Sequence, residues 1–174
     1  NFSLLKGSYS SIQNILDQLG VLEVNGMLLD LGLSSFQLDN PKRGFSFKRN
    51  GNLDMRFDNF QKISASDVIN KFSEKDIADI IYIYGEERRS RRIAKKIVQH
   101  RPMTTTFDLV EAIKKSTPAK NRNKSIARVF QAIRITVNDE LKKLEEFLNV
   151  FCKRLCVGGR VVLISFHSLE DRIV

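Results

Sequence analysis

Two polar clusters, each closing an apolar run, are the residues whose types and spacing suit chemistry. The first follows Met27, Leu28 and Leu29: Asp30 ends the run, Gly32 comes next, and Ser34 and Ser35 supply hydroxyls. The second follows Val161–Ile164, a β-branched apolar run that ends in Ser165, Phe166 and His167. If both runs are strands of one parallel sheet, Asp30 and His167 flank one edge, where open α/β sheets bind ligands beyond the carboxyl ends of their strands. Such a site suits a polar ligand. Asp30, Ser34 and His167 are the candidate proton acceptors, because a carboxylate, a hydroxyl and an imidazole can each accept from a bound polar group. The alternative for Asp30 and Ser34 is helix capping, which favours the same residue types. For His167 it is a satisfied histidine at a strand end.

A second constellation lies between residues 43 and 56. Arg43, Phe45, Phe47, Lys48, Arg49 and Arg56 interleave cations with aromatics in a loop containing Gly and Asn. That composition suits phosphate contacts and base stacking. Packing in a core remains open for Phe45 and Phe47, since large apolar side chains usually serve cores.

These residues need elements to hold them. Met27–Leu29 and Val161–Ile164 lack polar alternation, so both are expected to be strands covered on two faces. Ser11 to Leu19 is expected to be a short amphipathic helix closed by Gly20. From Ser64 to Ser116 only helical signals occur. Ser73 with Asp76 forms a capping-box pattern, and Ile77, Ile80, Ile81 and Tyr84 line one face before Gly85 stops the helix. Glu86 to Arg101 divides sharply. Ile93, Ala94, Ile97 and Val98 form an apolar face, while Arg88, Arg91, Arg92, Lys95 and Lys96 fill the rest. Pro102 ends it, and Thr105 with Asp108 starts another helix. Apolar spacing from Ile126 through Phe151 to Leu155 predicts a long helix weakened at Thr136–Asn138 and stopped at Gly158-Gly159. Helices between two strands in this number exceed a simple crossover and predict an inserted helical domain.

The composition is consistent with one sizeable domain of 174 residues. It has 29 Lys+Arg against 20 Asp+Glu, a formal net charge of +9, which favours a polyanionic partner. The only cysteines, Cys152 and Cys156, lie one helical turn apart without zinc-site spacing, so they are expected as buried free thiols in a reducing compartment. No metal site is expected. No apolar run approaches the roughly 20 residues of a membrane span.

LLDLGLSSFQLD from Leu28, RGFSF from Arg43 and LDMRFD from Leu53 resemble the signature of the MraW-type methyltransferases. Three more blocks are similar to the same family and keep its order: YGEER at Tyr84–Arg88, FQAIRITVNDEL at Phe130–Leu141 and GGRVVLISFHSLEDRIV at Gly158–Val174. The resemblance implies a Rossmann-type α/β methyltransferase core interrupted by an all-helical domain. Residues 1–40 and 129–174 would belong to the core and 41–128 to the insertion.

It implies methylation of the exocyclic N4 of a cytidine in small-subunit ribosomal RNA, within the small subunit, in the cytoplasm of a bacterium or in an organelle. The cofactor implied is S-adenosyl-L-methionine, held by Phe2, Asp30 and Gln37. The expected RNA-binding residues are Arg43, Phe45, Phe47, Arg49, Arg56, Arg88, Arg91, Arg92 and Lys95. Two positions depart from the family pattern: Phe36 stands where the family has Pro, and SIAR at Ser125–Arg128 replaces PAxR. No G-x-G sequence occurs, so the family's Gly-rich turn is absent and the chain is expected to be an internal fragment, inactive alone. Two other readings stay open: an RNA-binding homologue without activity, and another nucleotide-dependent α/β enzyme.

Overall fold

The structure is a computed structural model and describes residues 2–174. Nine α-helices and two strands are present among them. The chain divides into two compact units, one formed by Asn1–Gly32 with Asp139–Val174, the other by Leu33–Asn138.

The first unit holds both strands. β1 (Val24–Asp30) and β2 (Leu155–Ile164) pair in parallel, with Met27 opposite Val161 and Asp30 opposite Ile164. The parallel pairing expected of the two apolar runs is therefore present. Coverage on two faces is not. Leu28 is 67% exposed and Val162 53%, while Met27 and Leu29 are half-buried, so the strands alternate. α1 (Ile12–Gln18) precedes β1 and ends as expected at Gly20, which takes φ +67°. α8 (Glu140–Leu148) packs near the 3-10 turn Tyr9–Ser11, where Phe147 is fully buried between the rings of Tyr9 and Phe151. α9 (Ser168–Asp171) closes the unit.

The expected helix through Leu155 is corrected here. β2 already begins at Leu155 and runs through both glycines. Cys152 lies exposed on a 3-10 turn and Cys156 lies half-exposed on β2, not inside an apolar helix. The physical reason is an irregular register. Val24 faces Leu155 but Gly26 faces Arg160, so β2 carries surplus residues there, and Gly158 at φ +79° absorbs them.

The second unit is helical apart from one isolated bridge between Asn52 and Thr105. It contains α2 (Ser35–Asp39), α3 (Ala65–Lys71), α4 (Glu74–Gly85), α5 (Ser90–Gln99), α6 (Thr106–Ser116) and α7 (Arg122–Asn138). Ser34, Ser64 and Thr105 each form a reciprocal capping box with the residue three positions on. Ser73 caps α4 by accepting from the Asp76 amide. Ile77, Ile81, Ile93, Ile97, Ile113 and Val129 meet in one core, each 0–1% exposed. Full burial of each isoleucine is worth about 1.5–3 kcal/mol.

α4 ends at Gly85, as expected, but the left-handed residue lies one position further on. Glu86 takes that conformation, at φ +49°. Gly85 is needed for proximity instead, because a Cβ there would lie 2.7 Å from the Arg128 carbonyl oxygen on α7. α5 also starts later than expected, at Ser90, and α7 breaks one residue after the expected weak spot, at Asp139 with φ +51°.

Candidate functional site

In the first unit, the parallel pairing sets Asp30 and Ser165–His167 at the same edge of the sheet. The Leu31 amide donates to the Ile164 carbonyl at 3.1 Å, so the two chains leave together. Asp30 is exposed, and its carboxylate has no hydrogen bond or ion pair among the described residues. Beside it the chain turns at Gly32, φ +90°, where a Cβ would stand 3.2 Å from the Phe166 ring. Phe166 is 66% exposed and Phe2 92%. An open carboxylate with two open rings in one unit can accept hydrogen bonds from hydroxyl or ammonium groups and pack on a planar ring. Gly32 and Phe166 were not singled out as a pair from sequence, although both lie inside the quoted blocks.

His167 is engaged differently. Its Nδ1 accepts from the Glu170 amide at 3.4 Å, capping α9, and its Nε2 stands 3.3 Å from Glu170 Oε1. The neutral tautomer that fits this network carries its proton on Nε2. Glu170 Oε2 in turn accepts from the Phe166 amide at 2.8 Å, and Ser165 donates to Asp171. The geometry thus displays Nδ1 of His167 as a helix cap. Glu140, His167 and Glu170 bring ligand-type atoms within 4.8 Å of one another. Tyr9 lies against this acidic pocket, and its hydroxyl donates to the Glu140 carbonyl at 3.3 Å. Burial first, then Glu140, Glu170 and Glu146, push the Tyr9 pKa up to about 12, so it stays a neutral donor.

In the second unit, Ser34 and Gln37 occupy each other. The Gln37 amide donates to Ser34 Oγ at 3.3 Å, and Gln37 Oε1 accepts from the Ser34 amide at 3.0 Å. Ser34 is therefore a helix cap, with its hydroxyl 3.2 Å from Gln37 Oε1.

The basic-aromatic loop uses most of its side chains internally. Arg43 Nη2 donates to the carbonyls of Arg56 at 2.5 Å and Phe57 at 3.0 Å. Arg56 pairs with Asp54 at 2.5 Å and donates to the carbonyls of Asn59 and Gln61, both at 2.9 Å. The Asp54 hydrogen bond is the main cause that raises the Arg56 pKa. Phe45 is 5% exposed and stacks on Phe57 at 5.6 Å, while Phe47 meets Phe130 edge-on at 5.7 Å. Of the two readings kept open for these phenylalanines, the structure displays packing. Arg49 is half-exposed and held by Asp39 at 2.8 Å. Gly44, at φ +69°, allows a close turn, since a Cβ there would fall 2.0 Å from the Asn52 carbonyl oxygen.

Two buried polar residues inside the quoted blocks lock this unit, and sequence reading gave neither a role. Glu87 of YGEER is 1% exposed. Its carboxylate accepts from Ser125 Oγ at 2.8 Å and from the Arg89 amide at 3.0 Å, with Arg89 and Arg128 at 3.6 and 3.7 Å. Asn138 of FQAIRITVNDEL is fully buried. It donates to the carbonyls of Met55 at 2.7 Å and Arg134 at 2.9 Å, and accepts from the Phe57 amide at 2.7 Å. For Asn138 the signal available was a polar residue at the end of an apolar helix face, whereas Glu87 lies between α4 and α5 and had no such signal.

The neighbours of Glu87 point outward. Arg88, Arg91, Arg92 and Lys95 are all exposed and make no ion pair among the described residues. Arg91, Arg92 and Lys95 lie on the first part of α5, opposite buried Ile93 and Ile97, and Arg88 lies in the turn just before it. This face can bind phosphates without first breaking internal pairs.

A family model described as the MraW methylase family matches residues 1–174. Among similar curated proteins are three called ribosomal RNA small subunit methyltransferase H. That of Trichormus variabilis is 57% identical over 157 residues, covering 88% of this chain and 52% of the relative. That of Thermosipho africanus is 50% identical, covering 100% and 61%. That of Thermotoga neapolitana is 52% identical, covering 99% and 59%. The chain thus spans little more than half the length of these relatives. An exposed carboxylate at the end of a parallel strand, a bare basic helix face and a match along its whole length agree: the chain belongs to the MraW methylase family.

Proposed function

We propose that the protein carrying this chain methylates the exocyclic N4 of a cytidine in small-subunit ribosomal RNA, using S-adenosyl-L-methionine. The observation that carries this reading is Asp30: exposed, unpaired among the described residues, and at the carboxyl end of a parallel strand in an MraW-family chain. The printed names of the relatives support the RNA substrate. In the same reading, residues 1–40 and 129–174 belong to a Rossmann-type core. Residues 41–128 form a helical insertion, which the helical unit Leu33–Asn138 supports. The reaction takes place in the cytoplasm, on RNA in the small subunit.

The residues present fit the cofactor. Asp30 would accept from its hydroxyl or ammonium groups, and Phe2 would pack on its planar base. When bound, S-adenosyl-L-methionine supplies a methyl group on a sulfonium, which is already an activated leaving group. What remains for the chain is alignment and the fate of the amine proton. Of the candidate acceptors, Ser34 and His167 are engaged in helix caps, whereas Asp30 is open. An acceptor beside the amine hydrogens helps localise a lone pair that the cytosine ring otherwise delocalises.

Arg88, Arg91, Arg92 and Lys95 would hold the phosphate backbone, and half-exposed Arg49 of the basic loop would add a further contact. Arg43, Phe45, Phe47 and Arg56 would act mainly by keeping that loop folded. The test is transfer of a radiolabelled methyl group by the full-length protein to isolated small subunits and to naked ribosomal RNA. Labelled N4-methylcytidine in the digested RNA is expected. RNA binding without any methyl transfer would favour the homologue without activity.

A further inference from the structure

We propose that a groove within the helical unit binds one unpaired ribonucleotide of the substrate RNA. This inference rests on the RNA reading above. The groove has a volume of about 520 Å³ and is lined by Phe47, Lys48, Phe107, Lys114 and Asn123, with Val110 in its floor. Small-ligand sites typically span about 300–1,000 Å³.

Its chemistry is that of a stacking platform with a cationic rim. Phe107 is 43% exposed at the start of α6, although a large aromatic usually retires to the core. Phe47 is fixed edge-on against Phe130 at 5.7 Å, so this wall of the groove is preformed. Lys114 is held at the groove by Glu111 at 2.7 Å. The segment from Lys114 to Lys124, which leads from α6 to the first turn of α7, contains five cations and no acid. Lys115, Lys120, Arg122 and Lys124 in it are exposed. Glu111 is the one acid of the lining, and its pair with Lys114 already neutralises it. An aromatic face for a base beside cations for its phosphates is how proteins hold single strands. A duplex keeps its bases stacked and cannot offer one to Phe107.

The test uses the full-length protein and labelled hexacytidine, with an RNA duplex as competitor. Hexacytidine is expected to bind and the duplex not to displace it from the groove. Phe107→Ala should weaken hexacytidine binding roughly tenfold, and Phe107→Tyr should retain it, because stacking survives. Lys48→Gln, at the exposed lysine of the lining that pairs with no acid among the described residues, should lower the slope of log affinity against log salt by roughly 0.7, the single-strand value per phosphate contact. Thermal melting verifies that each variant is folded.

Unchanged hexacytidine affinity in folded Phe107→Ala would overturn the proposal. So would equal binding of hexaglutamate, which would assign the groove to an acidic protein segment. Charge reversal at Arg88, Arg91 and Lys95 separates the two levels. If it weakens ribosomal RNA binding while the groove variants do nothing, the groove fails and the RNA reading stands. If neither set affects any RNA, both fail.

Discussion

Motif residues of this chain fall into two opposite uses, shown by Glu87 and Asn138 of the helical unit on one side and Asp30 of the strand-bearing unit on the other. In Leu33–Asn138, Glu87, Asn138, Arg43 and Arg56 are turned inward and spend their hydrogen bonds on backbone and neighbours. In the strand-bearing unit, Asp30, Phe2 and Phe166 are turned outward. The contrast separates two reasons for a residue to sit in a family block. One is that the fold needs it, because a buried polar group is costly unless matched. The other is that a ligand needs it, because an open carboxylate or ring contributes little to folding. Arginines and aromatics in a loop look like RNA ligands by composition, yet several of these are the fasteners of that loop.

The comparison breaks most visibly at Glu87. Glu87→Ala removes a buried carboxylate and strands the groups that it satisfies. A loss of about 3–5 kcal/mol in urea unfolding is expected, the range for a broken buried pair. A loss under about 1 kcal/mol would mean that the site is wetter and looser than the structure indicates.

Asn138→Ala comes next. It leaves the Phe57 amide and the Met55 carbonyl without their side-chain partner, at about 1–3 kcal/mol. Proteolysis near Met55, which sits at φ +56°, should also accelerate. An unchanged cleavage rate would show that the loop is held by Arg43 and Arg56 alone.

The smallest expected effect is a pH dependence. The Lys71 ammonium first, then Ser64, hold the Asp67 carboxyl well below the usual carboxylate range. A lowered folded pKa means that this contribution is complete above the unfolded value, about 3.9, and is lost as pH falls through the folded value. Below about pH 4 the wild type should therefore lose stability more steeply than Asp67→Asn, by about 1 kcal/mol in all. Parallel curves would remove Asp67 from the account.

Much of this was legible in the sequence. Short-range signals worked where one residue decides the geometry: Gly20 at the end of α1, the caps at Ser73 and Thr105, the apolar face Ile93–Ala94–Ile97 of α5. The parallel pairing of the two apolar runs followed from their lack of alternation, although the burial did not. The failure at Leu155–Gly159 is instructive. Leu144, Leu148, Phe151 and Leu155 keep helical spacing across a boundary that only the pairing with β1 creates. The roles of Glu87 and Asn138 were hidden because their partners, Ser125 and Met55, lie 38 and 83 residues away. Spacing reports neighbours along a helix, and these bonds join distant segments.

The central claim is that Asp30 serves a ligand while Glu87 and Asn138 serve the fold. Calorimetric titration of S-adenosyl-L-methionine into full-length Asp30→Ala, alongside urea unfolding of the same variant, tests it most directly. Loss of a hydrogen bond to a charged group should weaken cofactor binding by about tenfold or more. The unfolding midpoint should stay at the wild-type value. Wild-type cofactor affinity in the folded variant, or a drop in stability like that of Glu87→Ala, would contradict the account.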